Sequence, residues 1–596
     1  MIFGKYVNRF YKKYWLYLVT GFVFLAIVDI AQIAIPVLVG NAVSIFSNQD
    51  SIEYFFNAPL FDPNGIGYFI MAFLGIAVVM FIGRMVWRLA IYKVGVLVDF
   101  DLRDQMFVHA EELSVTYYKK QKVGTVMSLF NNSLVSVKDC FMDGIVMMVD
   151  GFIMAPMVVV FMFLNNWVLA LVSLVPLTIM MICCIVVDKG MTARYEDQLS
   201  AFERLSDYTQ EAMSGYAVIK AFVKEAKNML TFAKLNQENK DTNMAYLKYS
   251  VTLNMLIELL INSGFVLVAF IGVQVILNFE NYDIGSLVEF IGLLDTAIWP
   301  FIALGQVIMI RARGKAGLNQ VSEFLDAKKE LVDTSSSDVV FKGEITFKNF
   351  QFQYPDGNAS VLNNINLHIK AGQNIGIVGR TGSGKSTLVK TLLKIYNVSE
   401  GTLFFDDHDI CSLSSKTVRD NIGYVAQNAF LFSDLIEENI AFGDSDSRDD
   451  NRVKSAAEFA CVSDSIERFK DGYKTLIGER GASLSGGQKQ RVAMARAIYK
   501  DPAILILDDS VSAVDSETEK SILENVAKLR NGKTTLIVSS RVSVVEHLDG
   551  IIVLSEGKIV GFGTHSELMK TCKEYSRVVE LQRLEKEEGL SYGQSR

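Results

Sequence analysis

Charged residues are scarce in this sequence: they make up 21% of the 596 residues, whereas half of the residues are hydrophobic. A soluble protein of this length carries more charge, so the composition predicts a region embedded in a membrane. The length exceeds what one hydrophobic core normally supports, which predicts two or more domains. The formal net charge of −8 gives no reason to expect a nucleic-acid partner.

Cysteine is also rare, and no CxxC pair or histidine cluster is present, so neither a zinc site nor a redox motif is indicated. We interpret the six cysteines as packing residues: Cys140, Cys183, Cys184, Cys411, Cys461 and Cys572. The basic N-terminus runs into a long hydrophobic segment without a small-residue cleavage site, which predicts an anchor and not a removed signal peptide.

Long apolar runs, each of the roughly 20 residues that a helix needs to cross a bilayer, fill the sequence before about residue 320. They predict six transmembrane helices, at about 15–41, 66–90, 143–164, 167–187, 253–278 and 286–310. The segments after the second and fourth spans are rich in helix formers, so we expect those helices to continue into the cytoplasm. The segments that connect the spans on the predicted external side, 42–65, 165–166 and 279–285, contain no Lys or Arg. The positive-inside rule therefore predicts a multi-pass protein of the cell (plasma) membrane with both termini cytoplasmic.

The composition changes beyond the last span. Residues 327–340 are polar and Ser-rich and are typical of a linker, and from Phe341 short β-rich runs alternate with helical ones. We therefore predict a transmembrane α-helical domain over 1–326 and an α/β P-loop nucleotide-binding domain over 341–583. The remaining segment, 584–596, is predicted to be a polar, frayed tail.

The segment IGIVGRTGSGKST fits the pattern GxxxxGK[ST]. Its glycines allow backbone N–H groups to surround phosphate, Lys385 reaches the β- and γ-phosphates, and the Ser386 hydroxyl binds Mg²⁺. A chance glycine-rich turn is the alternative, which the strand-loop-helix context disfavours. The motif predicts ATP and Mg²⁺ as cofactors, bound by Gly379, Arg380, Thr381, Gly382, Ser383, Gly384, Lys385, Ser386 and Thr387.

Further motifs indicate which kind of nucleotide-binding protein this is. AILILDD predicts a buried strand ending at Asp508, an acidic residue that holds Mg²⁺. Between these motifs lies LSGGQ, and here the sequence resembles the ABC ATPase family, for which LSGGQ is the signature. YVAQ ending at Gln427, GERG at 478–481 and SAVD at 512–515 follow the family's order. The resemblance implies a catalytic role and a metal-site role for Gln427, and adenine stacking by Tyr354. It also implies nucleotide contacts by Leu484, Ser485, Gly486, Gly487, Gln488 and Asp515.

The first half resembles the six-helix domain of type IV, or B-family, ABC exporters. The segment ARYEDQLSAFERLSDYTQEAMSGYAVIKAFVKE matches the second intracellular loop of that class. One departure is Asn132-Ser133, where relatives commonly have Asn-Asp. The resemblance covers nearly the whole chain.

Two catalytic positions depart from the family pattern. The family places a glutamate after Asp508 and a histidine after the next strand, and this chain has Asp509 and Ser540 there. Aspartate is one methylene shorter, and a misplacement of about 1 Å can lower a rate roughly 10²-fold. Tolerated drift is the alternative for either change alone. Both together predict a degenerate site that binds ATP but hydrolyses it slowly.

In ABC dimers each nucleotide lies between one chain's P-loop and the other chain's LSGGQ. The resemblance therefore implies a non-identical partner half-transporter with an intact Glu and His, as in heterodimeric bacterial multidrug exporters. The leading hypothesis is an ATP-driven exporter of amphipathic drugs or other hydrophobic compounds. A lipid or peptide flippase or exporter, or an ATP-gated channel or sensor, are the alternatives.

Acidic residues also lie within or near the predicted spans: Asp29, Asp150, Glu258, Glu289 and Asp295. Charge at membrane depth is costly, so such groups tend to face a cavity or a partner. Pairing with Arg84 or Arg88 would be a packing role, whereas attraction of cationic drugs would be a functional one. Asp150, Asp295 and Trp299 are the candidate substrate residues.

Overall fold

The computed structural model describes residues 3–47, 55, 59–63, 65–121, 123–278, 282–331, 339–444, 449–478, 481, 483–511 and 516–593. The chain forms two compact units. The first comprises Met1–Glu111 and Lys122–Ala327, and the second comprises Glu112–Gln121 and Lys328–Arg596.

The first unit is helical. Its helices, together with α4, which belongs to the second unit, are α1 (Asn8–Lys13), α2 (Trp15–Ser47), α3 (Ile66–Glu112), α4 (Val115–Lys120), α5 (Val123–Ser128), α6 (Leu134–Phe141), α7 (Asp143–Val149), α8 (Ala155–Asn165), α9 (Trp167–Ser214), α10 (Tyr216–Ala221), α11 (Glu225–Asn278) and α12 (Ile284–Leu325). Two π-helical turns, Leu129–Ser133 and Asp150–Met154, connect α5 to α6 and α7 to α8.

Within the described residues, five helical stretches are long and apolar enough to cross a membrane: Trp15–Ser47, Ile66–Glu112, Gly124–Asn165, Glu225–Asn278 and Ile284–Leu325. Each contains one predicted span. The other predicted span, 167–187, falls on α9, whose described apolar stretch is the shorter Trp167–Cys183. The helices α3, α9 and α11 run well beyond the predicted spans, so the expected helical extensions are present.

The second unit contains α4 and an α/β fold. Its strands are β1 (Ile345–Gln353), β2 (Ser360–Ile369), β3 (Asn374–Val378), β4 (Leu403–Phe405), β5 (His408–Asp409), β6 (Ile422–Val425), β7 (Ile504–Asp508), β8 (Thr534–Val538), β9 (Gly550–Ser555) and β10 (Lys558–Gly563). Its further helices are α13 (Lys385–Leu392), α14 (Ser415–Asp420), α15 (Ile436–Ala441), α16 (Asp450–Phe459), α17 (Ser463–Glu467), α18 (Gly486–Tyr499), α19 (Ser516–Leu529), α20 (His565–Thr571) and α21 (Lys573–Gly593).

One sheet has the order β10-β9-β3-β8-β7-β6, and its strands from β9 to β6 pair in parallel. The residues of β7 and β8 are buried throughout, as expected of strands covered on both faces. Parallel strands place their carboxyl ends at one edge, where α/β folds bind ligands. The segments after β3, β8 and β7 therefore meet at one edge of this sheet.

The smaller sheet is antiparallel, with the order β2-β1-β4-β5. The predicted linker and the predicted tail lie at the two ends of the second unit. Residues 332–338 of the predicted linker lie outside the described part of the chain. Helix α21 continues to Gly593, so the segment predicted as a frayed tail is helical over most of its length.

Candidate functional site

The loop between β3 and α13 has the conformation of a phosphate cradle. Gly382 and Gly384 have φ angles of 83° and 104°, a region that residues with a side chain rarely adopt. A Cβ added to Gly379 would lie 2.3 Å from the carbonyl oxygen of Leu554, so the loop is too close to β9 for any side chain there. Helix α13 begins at Lys385, and its first N–H groups favour an anion at that end.

Lys385 is folded back onto this loop. Its Nζ donates hydrogen bonds to the carbonyl oxygens of Gly379 at 2.7 Å and Arg380 at 3.0 Å. Burial lowers the pKa of Lys385, and the nearby carboxylates of Asp509 and Asp508 oppose that change. The Ser383 hydroxyl is buried and has no hydrogen-bond partner among the described residues. An unpaired buried hydroxyl beside an ammonium and glycine N–H groups fits a bound phosphate chain.

Asp508 ends β7 and is almost completely buried. Burial raises the pKa of its carboxyl, whereas hydrogen bonds from Ser386 and Tyr424 oppose that change. The Tyr424 hydroxyl donates to Asp508 Oδ2 at 3.4 Å. The structure thus places the P-loop hydroxyl of Ser386 beside the acid at the end of β7, and this pair of oxygen ligands fits Mg²⁺.

Asp509 follows directly in a left-handed conformation, with φ of 50°. Its backbone N–H donates to the carbonyl oxygen of Val538 at 2.9 Å, which fixes it to β8. Gln427 Nε2 donates to Asp509 Oδ2 at 3.3 Å, and the Gln427 carbonyl accepts from Gln490 at 3.1 Å. The structure therefore brings the Gln427 side chain together with the carboxylate of Asp509, and Ser540 takes no part in this hydrogen bond.

Ser540 lies two residues beyond β8, at the same edge of the sheet. Its side chain is exposed, and its carbonyl oxygen accepts a hydrogen bond from Gln582 Nε2 at 2.7 Å. Its neighbour Ser539 is buried and accepts from the backbone N–H of Arg541. Position 540 is thus anchored by its backbone, and its side chain is exposed.

Tyr354 packs beside the P-loop helix. Its hydroxyl lies 2.9 Å from Thr387 Oγ1, and its ring meets Tyr396 nearly edge-on, with ring centroids 5.2 Å apart. The Nζ of Lys119, on α4, lies 4.8 Å from the centroid of the Tyr354 ring. The Lys119 Nζ also lies 5.5 Å from the centroid of the Tyr396 ring, and its interaction with the Tyr396 side chain raises the pKa of Lys119. Sequence reasoning missed Lys119 and Tyr396 because no motif connects them to Tyr354.

The signature motif occupies the start of α18. Ser485 caps this helix: the Gln488 N–H donates to Ser485 Oγ at 3.3 Å, and the Ser485 N–H donates to Gln488 Oε1 at 2.9 Å. Leu484 is buried, whereas Ser485 and Gly486 are exposed. Nothing lies within 4 Å of a Cβ added at Gly486, and Gly487 follows it in the first turn of the helix. Asp515, and Glu479 and Arg480 of GERG, lie outside the described residues.

Two of the three candidate substrate residues contact each other, and the third does not join them. Trp299 Nε1 donates to Asp150 Oδ2 at 2.7 Å, so the structure brings these two side chains together. Asp295, one helical turn before Trp299, is exposed. Among the described residues, neither Arg84 nor Arg88 forms an ion pair with an acid of the spans.

Two family descriptions match the chain. The family described as ABC transporter transmembrane region matches residues 18–301, and the family described as ABC transporter matches residues 362–512. The first match includes four of the six predicted spans entirely and most of the first and the last, and the second includes the P-loop, the signature and Asp508.

Curated relatives extend over nearly the whole chain. The "Probable multidrug resistance ABC transporter ATP-binding/permease protein YheI" of Bacillus subtilis is 33% identical over 583 residues, 97% of each chain. The "Multidrug resistance-like ATP-binding protein MdlA" of Escherichia coli is 30% identical over 97% of this chain and 96% of that protein. An "ATP-dependent lipid A-core flippase" of Albidiferax ferrireducens is 32% identical over 81% of this chain and 83% of that protein.

A solved structure also resembles this chain. The "Structure of a bacterial Atm1-family ABC exporter with ATP bound" matches with a TM-score of 0.79 and 23% identity, covering 96% of this chain and 99% of that one. At this identity the likeness establishes the fold alone.

Proposed function

This chain belongs to the ABC transporters, and from its nucleotide site we propose that it is the slowly hydrolysing half of a heterodimeric exporter of amphipathic compounds. It is an ATP-driven membrane transporter with a multi-pass helical domain and an ATP-binding domain. The observation that carries the proposal is the hydrolytic position, where Asp509 and Ser540 stand in place of the family's glutamate and histidine.

The groups that bind nucleotide are complete. Lys385 and the glycine loop receive the phosphates, and Ser386 with Asp508 offers oxygen ligands for Mg²⁺. Tyr354 offers a ring for the adenine. ATP bound with Mg²⁺ supplies a reactive γ-phosphoryl group at the end of this cradle. These residues support tight occupancy.

The side chains that would move a proton during hydrolysis are less suited to this task than those of the family. The Asp509 carboxylate is short of the position that a glutamate would reach, by about 1 Å. Unlike the family's histidine, Ser540 carries no imidazole, so it cannot hold or transfer a proton near neutral pH. Occupancy without fast turnover follows from this combination.

The signature supports the proposed partner. Ser485 and Gly486 are exposed at the start of α18, where the Gly486 N–H and the Ser485 O–H are available to a nucleotide on another chain. A homodimer would contain two weak sites. A partner with Glu and His at the two positions would complete one competent site, with this chain's signature as its other wall.

The substrate class rests on relatives. Two are named for multidrug resistance, and a third for flipping lipid A-core. We propose export of amphipathic drugs, with lipid flipping as the second candidate because the flippase matches most of the chain. We further propose a location in the cell membrane with both termini cytoplasmic, and the domain division 1–326, 327–340, 341–583 and 584–596.

Comparing the ATPase activity of the purified chain alone with that of the chain and its partner half-transporter tests this proposal. We expect little turnover alone and a large gain with the partner. Full, drug-stimulated turnover by the lone chain would disprove the heterodimer. Accumulation of a dye against its gradient in vesicles separates a pump from a gated channel.

A further inference from the structure

Two carboxyl groups lie on elements that pack against each other inside the helical unit. Asp29 lies in the middle of α2, and Asp150 begins the π-helical turn between α7 and α8. Helix α2 packs against this π-helical turn. Asp29 is 3% exposed and Asp150 is 5% exposed, and the two acids are close enough for their charges to interact.

The two acids lack the partners that buried acids normally have. Oδ2 of Asp29 and Oδ1 of Asp150 are buried without a hydrogen-bond partner among the described residues. The other oxygen of Asp150 accepts the indole N–H of Trp299. No Lys or Arg in the described part of the chain forms an ion pair with either acid.

The other charged residues within the predicted spans of the surrounding helices do not supply the missing charge. They are Asp143 on α7, Glu289 and Asp295 on α12, and Arg84 and Arg88 on α3. Asp143 accepts from Tyr92, Glu289 interacts with Asn165, and Asp295 is exposed. Arg88 lies over the Trp87 ring, and among the described residues no ion pair joins either arginine to the two acids.

Such a pair needs a compensating positive charge. One acid at the centre of a membrane helix costs roughly 2.5–3.5 kcal/mol on insertion scales, and a second nearby negative charge adds repulsion. Two neighbouring carboxyl groups in this position therefore retain a proton or hold a cation. The observed unpaired oxygens leave room for either.

Trp299 connects this pair to the surface of the unit. Its side chain is 46% exposed although its N–H reaches the buried Asp150. An indole face attracts a cation by roughly 0.5–1 kcal/mol at an exposed site, and by more when water is removed. The π-helical turn that begins at Asp150 is a feature found frequently at functional sites.

We propose that Asp29, Asp150 and Trp299 form a binding site for a monovalent organic cation, and that the carboxyl pair holds a proton when this site is empty. An arriving aromatic cation rests on the indole face. The O–H bond of one carboxyl then breaks, its proton leaves to water, and the cation replaces the lost charge. This inference deepens the proposed function, because it names cations as the substrate class of the same transporter.

Binding of tetraphenylphosphonium to the full-length chain in nanodiscs tests the exchange. This probe is a permanent cation without titratable groups, and its binding needs neither hydrolysis nor a partner. If one proton leaves for each cation bound, the affinity rises with pH by up to about tenfold per pH unit. Proton release on addition of the probe, measured in weak buffer, gives the same stoichiometry independently. The neutral triphenylphosphine oxide should show no pH dependence.

The variants separate a site from packing. The double variant D29N/D150N keeps the side-chain shapes and should lose both the pH dependence and the preference for the cation. Trp299→Phe removes the indole N–H and should weaken binding while keeping the pH dependence. Glu258→Gln is the matched control, because Glu258 is an exposed acid in another span and should behave as the unaltered chain.

Two results would overturn the inference. One is an affinity for the cation that does not change with pH in the unaltered chain. The other is a double variant that loses both probes equally and melts at lower temperature, which would assign the acids to helix packing alone. If the lone chain instead proves to be a fast ATPase, the proposed partnership fails while the pH-dependent binding stands, so the two failures are distinguishable.

Discussion

Restoring the family's two side chains should activate this chain's own site. Asp509→Glu keeps the backbone position that the hydrogen bond to Val538 fixes, and extends the carboxylate by about 1 Å toward the nucleotide. Ser540→His adds an imidazole at a position that is exposed in this chain. Recovering a misplacement of that size is worth roughly 10²-fold in rate, or about 2.7 kcal/mol of barrier. Proton transfer by a placed histidine contributes a further factor of about 10² or more.

The assay is steady-state ATP hydrolysis by the lone chain, since a homodimer of D509E/S540H would contain two complete sites. We expect a gain of at least about a hundredfold over the unaltered chain. D509E/S540A measures the glutamate alone, and adding Lys385→Ala to the double variant should abolish the gain. A double variant that dimerises and binds ATP but hydrolyses it no faster would refute the explanation of the slow site.

Further predictions concern the same unit. Gly486→Asp should lower the turnover of the heterodimer more than Asp509→Asn does, because the first damages the partner's competent site; steady-state ATPase activity with the reverse order would mean that the two sites are exchanged. Lys385→Ala should weaken nucleotide retention at this chain's site without abolishing all hydrolysis, and labelled-nucleotide trapping that finds the unaltered P-loop empty at saturating ATP would contradict that role. Lys119→Met should tighten ATP binding about two- to fivefold, because the ammonium competes with adenine for the Tyr354 ring; an unchanged affinity by equilibrium titration would exclude this competition.

Local patterns were sufficient to predict the elements of the nucleotide site. The apolar run before Gly379 and the run ending at Asp508 are strands, and the residues after them meet because parallel strands share an edge. Helical extension of the spans also followed from composition. The family assignment is confirmed by the relatives that cover nearly the whole chain. The roles of the individual site residues remain predictions.

Contacts between distant segments could not be predicted. Nothing in the sequence indicated that Lys119 reaches Tyr354, since more than 200 residues separate them. Asp29 and Asp150 each appeared as one of several acids in the spans, and only helix packing brings them together while leaving Asp295 exposed. The direction of a side chain on a bundled helix depends on how the helix is rotated about its axis. These helices are apolar on every face, so their sequences do not encode that rotation.

The π-helical turn at Asp150–Met154 makes this rotation depend on chain length. A π turn contains one residue more than a regular α-helical turn, and each residue advances an α-helix by about 100° and 1.5 Å. Deleting one residue within 150–154 would let the helix close into a regular α-helix. The residues before it would then rotate by about a quarter of a turn relative to α8, and the carboxyl at 150 would leave the indole of Trp299. The rotation of this helix about its axis is therefore set by a single inserted residue. A change of length that alters neither Asp150 nor Trp299 would separate the two side chains.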